Sequence, residues 1–313
     1  MRKYLLFAFP MLCLLIMGVT GIQTIKAQSL IPLSGTYTIG PGGYCETLSQ
    51  SIDSLTANGV SGAVDFFILD GTYNESFTIG AIAGSSASNT ITYRSQSADT
   101  AAVKIIYSAT GTADNFVVLL NNATNLVFQD LTFESQGASY ARTIVGQGSL
   151  ENIVFEGCRI KSPVVSSTSA NFRAVDILVN SSSDIQFINN SISGGAWGLV
   201  YRGTNSSSTR ALGCQIRGNE ILDAYYGGLS LEYLNGAIVS GNTIRIKEGS
   251  QYNSRAVYAN EVDGAWRFTG NRLSGAKDYG LYMRYCNASS GDPGLIANNF
   301  IQSQENNYTV YFQ

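Results

Sequence analysis

Seven stretches of the chain share one alternation of apolar and polar positions. They read LVFQDLTF (126–133), IVFEGCRI (153–160), IQFINNSI (185–192), CQIRGNEI (214–221), AIVSGNTI (237–244), WRFTGNRL (266–273) and GLIANNFI (294–301). One apolar series runs Phe128, Phe155, Phe187, Ile216, Val239, Phe268 and Ile296; a second, five residues later, runs Phe133, Ile160, Ile192, Ile221, Ile244, Leu273 and Ile301. Between them stand Leu131 and Cys158, then Asn190, Asn219, Asn242, Asn271 and Asn299. Within each unit the period is two, which is that of a strand.

The middle position recurs at intervals of 27, 32, 29, 23, 29 and 28 residues. A fixed local pattern at variable spacing describes one structural rung with loops of differing length. A second short strand precedes the rungs: AVDILV (from 174), GLVYRG (198), GLSLEY (228), AVYANE (256) and GLYMRY (280). Two or three short strands per turn predict an all-β fold, a right-handed parallel β-helix. Each coil buries its apolar side only against its neighbours, at a spacing of about 4.8 Å. A leucine-rich repeat would show regular leucine spacing, and a propeller would need longer four-stranded units. The asparagines are expected to point inward at a turn, in left-handed backbone, and to bond the same amide one coil away as an Asn ladder.

The segment SGTYTIGPGGYCETLSQSIDSLTANGVSGAVDFFILDGTYNESFTIG, from residue 34, resembles the opening of pectin-lyase-like β-helix proteins. More narrowly it is similar to large secreted right-handed β-helix proteins of Bacteroidetes type, in which a phrase like DGTYNE follows a capping helix and begins the first coils. Residues 45–59 fit that role on their own spacing: Leu48, Ile52 and Leu55 form an apolar stripe, and Asn58-Gly59 is a stop signal. Such a helix covers a sheet edge that would otherwise invite aggregation. The resulting division is a signal peptide at 1–27, an N-terminal cap with first coils at 28–115, and about seven β-helix repeats at 116–313. The chain stops in what reads as the first strand of another coil, so the expectation is a fragment; a naturally short protein with an oligomeric terminus is the alternative.

Composition narrows the partners. MRK, an apolar run to Val19 and small residues near Ala27 form the three parts of a secretory signal peptide, which places the protein outside the cytoplasm. Loss of Arg2, Lys3 and Lys26 leaves 16 basic residues against 22 acidic ones, which argues against nucleic acid. After cleavage no segment has the roughly 20 apolar residues of a membrane span. Cys45, Cys158, Cys214 and Cys286 are widely spaced; an oxidising compartment permits bridges, but Cys158 and Cys214 take inward positions of non-adjacent coils, so buried thiols are expected, and histidine is absent from the chain. That excludes Ser-His-Asp and Cys-His nucleophile systems and imidazole metal sites; no cofactor and no metal is expected.

Candidate chemistry lies on the second strand set. Leu178, Arg202, Glu232, Asn260 and Arg284 align in one outward row, and Asp176, Val200, Ser230, Tyr258 and Tyr282 in the next. Tyrosine faces with arginines and a carboxylate suit an extracellular polysaccharide or a cell-surface glycan; an ordinary solvated sheet face would show similar pairs. The resemblance implies lyases, hydrolases, esterases or adhesins, and its catalytic patterns do not carry over. Asp176 and Glu232 are two coils apart, with no carboxylate cluster for calcium and no close acidic pair for glycoside hydrolysis. The sequence thus points to a structural or adhesive module contacting glycans, with no catalytic residue assigned. The alternative is a polysaccharide-degrading enzyme built on Arg202, Glu232, Tyr258, Tyr282 and Arg284.

Overall fold

The computed structural model describes residues 31–313 except 207–209, 251–252, 289 and 304–307. The signal-peptide expectation for 1–27 lies outside the described residues. Among these, strands join into one sheet of 18 and a second of nine, every recorded pair being parallel. The architecture is a right-handed parallel β-helix. Registers run unbroken along its axis: Phe66, Tyr93, Phe128, Phe155, Phe187, Ile216, Val239, Phe268 and Ile296 pair in succession. On the second sheet Ile105, Phe133, Ile160, Ile192, Ile221, Ile244, Leu273 and Ile301 do the same.

Stacking of like on like fills the interior. Tyr93 and Phe128 stack at 5.6 Å, Phe128 and Phe155 at 4.8 Å, and Phe155 and Phe187 at 5.2 Å, with interplanar angles of 13° or less. Such offset stacks add roughly 0.5–1.5 kcal/mol each beyond the area they bury. At the N-terminal end the helix α1 (Leu48–Asn58) buries Leu48, Ser51, Ile52 and Leu55. The Thr47 hydroxyl accepts from the Gln50 amide at 3.2 Å, and Gly59 ends the helix at φ 67°. The Glu75 carboxylate, from the first coils, accepts from the Leu48 and Ser49 amides at 3.0 and 2.9 Å and so closes the N-terminus.

A buried amide ladder runs up one corner. Asn219 Oδ1 accepts from the Asn190 amide N–H at 2.9 Å and from Asn190 Nδ2 at 3.0 Å, while Asn219 Nδ2 donates to Phe187 O at 2.8 Å. Asn242, Asn271 and Asn299 repeat this scheme, with all distances between 2.7 and 3.0 Å. Cys158 stands at the head of the ladder: its amide donates to Asn190 Oδ1 at 2.9 Å and its thiol to Phe128 O at 3.4 Å. The left-handed conformation expected of these asparagines belongs instead to the residue before each of them. Asp130, Gly157, Asn189, Gly218, Gly241, Gly270 and Asn298 have φ between 54° and 67°. The chain turns at that residue, and the next one is thereby swung inward in ordinary backbone.

The surface loop 107–114 carries a pH-sensitive bond set. The Asp114 carboxylate accepts from the Thr110 and Gly111 amides at 2.9 and 2.7 Å and from the Tyr107 hydroxyl at 3.0 Å. The Thr110 bond is the largest cause holding its pKa down, at about 2 against an ordinary 3.8. A depressed carboxylate stabilises above its unfolded pKa and loses that contribution as pH falls through the folded one. The Thr110 and Gly111 amide resonances are therefore expected to move with a midpoint near pH 2; a midpoint near 4 would contradict the loop.

Candidate functional site

The strands starting near residues 174, 198, 228, 256 and 280 open with a small residue followed by an aliphatic one. Both face inward, because the coil bends there and interrupts the period of two. A Cβ built at Gly198, Gly228 or Gly280 would lie 2.2–2.3 Å from Ile221, Ile244 or Ile301, so the first seat admits only the smallest side chains. The residue just before the pair is thrown outward. Arg173, Trp197, Gly227, Arg255 and Tyr279 pair in succession and form a row that the sequence analysis did not contain.

Beside it lie the two rows read from the sequence. Asp176, Val200, Ser230, Tyr258, Tyr282 and Tyr311 are in register, and so are Leu178, Arg202, Glu232, Asn260 and Arg284. The face has two chemically different ends. Towards the N-terminus Asp176, 1% exposed, takes Arg142 at 3.1 Å on one oxygen and Arg173 at 2.7 Å on the other. One coil on, the indole of Trp197 lies across Gly227, where a Cβ would be 2.1 Å from Cζ3, and meets Tyr226 edge-on at 5.5 Å. Arg202 pairs with Glu232 at 2.7 Å, and Ser230 donates to the same carboxylate oxygen at 3.1 Å. Burial lowers the Arg202 pKa, but the bond to Glu232 and its charge outweigh this and raise it overall.

The C-terminal end is a tyrosine cluster. Tyr258 and Tyr282 are 5.4 Å apart, Tyr279 stacks on Tyr282 at 4.7 Å and on Tyr308 at 5.7 Å, and Tyr311 meets Tyr282 edge-on at 5.0 Å. The Arg255 guanidinium lies over Tyr258 at 4.7 Å and over Tyr282 at 5.0 Å. Burial, and next the Glu232 charge, raises the Tyr258 phenol, which keeps it a neutral donor. Arg284 lies over Tyr285 at 4.7 Å at the rim. Sequence reasoning placed Tyr258, Tyr282 and Arg284 here and missed Arg255, Tyr279, Tyr308 and Tyr311; Asn260, read with them, is buried. A groove of 550 Å³ at another corner, lined by Ser85, Thr124, Glu151, Asn152 and Asp184 among others, offers hydroxyls and carboxylates but neither a ring nor a cation.

Among solved structures the chain is similar to the pectate lyase Pel9A, at 12% identity over 90% of this chain and 79% of that one, with a TM-score of 0.52. It is also similar to a pectin methylesterase solved with a hexasaccharide (14% identity, 83% and 81% coverage, TM-score 0.47) and to the pectin methylesterase PemA of Erwinia chrysanthemi (14%, 82% and 81%, 0.43). At such identities the likeness concerns the fold. No curated protein matches the chain. A family profile described as "Periplasmic copper-binding protein (NosD)" matches residues 131–311. The donor set does not fit the metal in that description: histidine is absent, and Cys158 and Cys214 are buried in the core. The matched span takes in the whole amide ladder and most of the outward face, and on that span, more than half of its length, the chain belongs to the NosD family.

Proposed function

We propose that the protein is a secreted or cell-surface β-helix module that binds glycans along the face bearing Arg255, Tyr258, Tyr279, Tyr282 and Arg284, in an adhesive or structural role. The observation that carries this reading is the contiguous tyrosine cluster with a guanidinium laid over two of its rings. Pyranose C–H faces pack on aromatic rings, and guanidinium groups bond hydroxyl or carboxylate oxygens in pairs. The description of the family as periplasmic, and the fold shared with proteins whose names refer to pectin, support a carbohydrate-related role outside the cytoplasm. The apolar leader at 1–27 points the same way.

The alternative is a polysaccharide-degrading enzyme. Its carboxylates are already engaged: Asp176 has an arginine on each oxygen, and Glu232 is held by Arg202 and Ser230. Neither is left as an uncommitted acid or base, which favours binding. A glycan array combined with a lyase assay read by unsaturated-product absorbance separates the two readings. Binding without turnover is expected. Tyr282→Ala and Arg284→Ala together are expected to weaken that binding about tenfold or more, from roughly 0.5–1.5 kcal/mol for the lost ring contact together with the loss of the guanidinium's hydrogen bonds. New unsaturated ends, or binding indifferent to both substitutions, would overturn the proposal.

A further inference from the structure

The metal in the family's description raises a question that the chain's own donors answer. We infer that the coils, residues 31–313, hold no copper, and that what the profile matches between 131 and 311 is the stacking arrangement of the solenoid. Copper(I) is held by thiolate and thioether sulfur, and copper(II) by imidazole and other nitrogen donors with oxygen ligands in tetragonal array. Histidine is missing from all 313 residues. The methionines are Met1, Met11, Met17 and Met283, and only Met283 belongs to the coils. It is 2% exposed and stacked between Ala259 and Phe312 in the inward register.

The thiols are no better placed. Burial pushes Cys158 up to about 12 and raises Cys214 as well, so the thiolate that binds metal is not formed at neutral pH. Cys158 Sγ is committed to the carbonyls of Phe128 and Glu156, each at 3.4 Å, and Cys286 Sγ to those of Arg284 and Ala259 at 3.4 and 3.7 Å. Burial also raises Cys286 and, in the first coil, Cys45. Among the described residues no three cysteine or acidic side chains gather in a metal-binding group. The carboxylates of the outward face are taken up by Arg142, Arg173 and Arg202.

The matched span contains features of another kind: the ladder from Asn190 to Asn299, the stacked ring of Phe155 on Phe187, and the small-then-aliphatic openings of five strands. These are requirements for stacking coils. Any β-helix of this construction meets them, whatever it binds.

The test uses the full chain carrying Met11→Leu, Cys13→Ser and Met17→Leu, which leaves Met1 as the one sulfur outside the coils. The folded protein is incubated with copper(I) under a competing bicinchoninate chelator, and separately with copper(II), then desalted and its metal measured by elemental mass spectrometry. Well below one copper per chain is expected in both arms. The same protein in guanidinium is expected to withdraw copper(I) from the chelator, because its exposed thiols return to an ordinary pKa of about 8.5. One copper per folded chain, whether or not Cys286→Ser abolishes it, would overturn the inference.

Discussion

Replacing Asn242 by leucine is expected to lower the unfolding free energy by about 4 kcal/mol, although the side chain touches no part of the surface. Asn242 is fully buried, and its Oδ1 accepts from the Asn219 amide at 2.8 Å and from Asn219 Nδ2 at 3.0 Å. Its Nδ2 donates to Ile216 O at 2.8 Å and to Asn271 Oδ1 at 2.9 Å. Leucine deletes four bonds and strands the Asn219 N–H groups inside the core, where each unsatisfied donor costs roughly 1–3 kcal/mol. Shape is not the problem, because Leu131 occupies the equivalent buried seat two coils below the first asparagine. Guanidinium denaturation followed by far-UV circular dichroism measures the loss. A change under about 1 kcal/mol would mean that the ladder contributes little. Binding to any glycan should persist in the variant wherever it remains folded, since Asn242 faces away from the tyrosines.

Phe155→Ala is expected to cost about 3–5 kcal/mol. Its ring lies between Phe128 at 4.8 Å and Phe187 at 5.2 Å, with Phe133 edge-on at 6.2 Å. The backbone hydrogen bonds that join Phe128, Phe155 and Phe187 in register fix the coil spacing, so the cavity cannot collapse along the axis. Phe155→Leu should cost less than half as much, because Ile216 and Val239 fill the same seat in later coils. The same denaturation experiment tests both variants. Equal losses for alanine and leucine would show that ring stacking, rather than filled volume, governs this row. Against a typical total stability of about 5–15 kcal/mol, either loss is a large fraction.

Much of this was legible in the residues, for a physical reason. Coils of a solenoid repeat one local problem, so Phe128, Phe155 and Phe187 announce an inward seat by recurrence alone. The register pairing Arg202 with Glu232 and Tyr258 with Tyr282 follows from the same alignment. The helix at Leu48–Asn58 was readable from its apolar stripe and its Asn-Gly stop. What escaped was set by bends. At Gly198-Leu199 two successive residues face inward, so counting by twos assigns Trp197 to the coil interior when it is buried on the outer side, in a separate cluster with Ala196 and Val200. Arg255 and Tyr279 were missed for the same reason. The left-handed residue was misplaced by one, because the inward asparagine is a consequence of the turn at Gly218 or Gly241 and not its site. The usable signal was the small-then-aliphatic pair, whose preceding residue always points out.

The amide ladder also has a direction. Each asparagine from Asn219 to Asn271 satisfies the amide and side-chain N–H groups of the rung before it and presents its own to the rung after, and Asn299 accepts in turn from Asn271. Its side-chain dipoles therefore point the same way along the axis and polarise one another. A rung is completed by its successor, and every successor makes the same demand. A coil copied between Asn219 and Asn242 would find in Asn242 the acceptor it requires and would supply to Asn219 the acceptor that residue requires, with no polar group orphaned. The length of this solenoid is thus a free variable for duplication and deletion, while its cross-section is held constant by the chemistry of a single side chain.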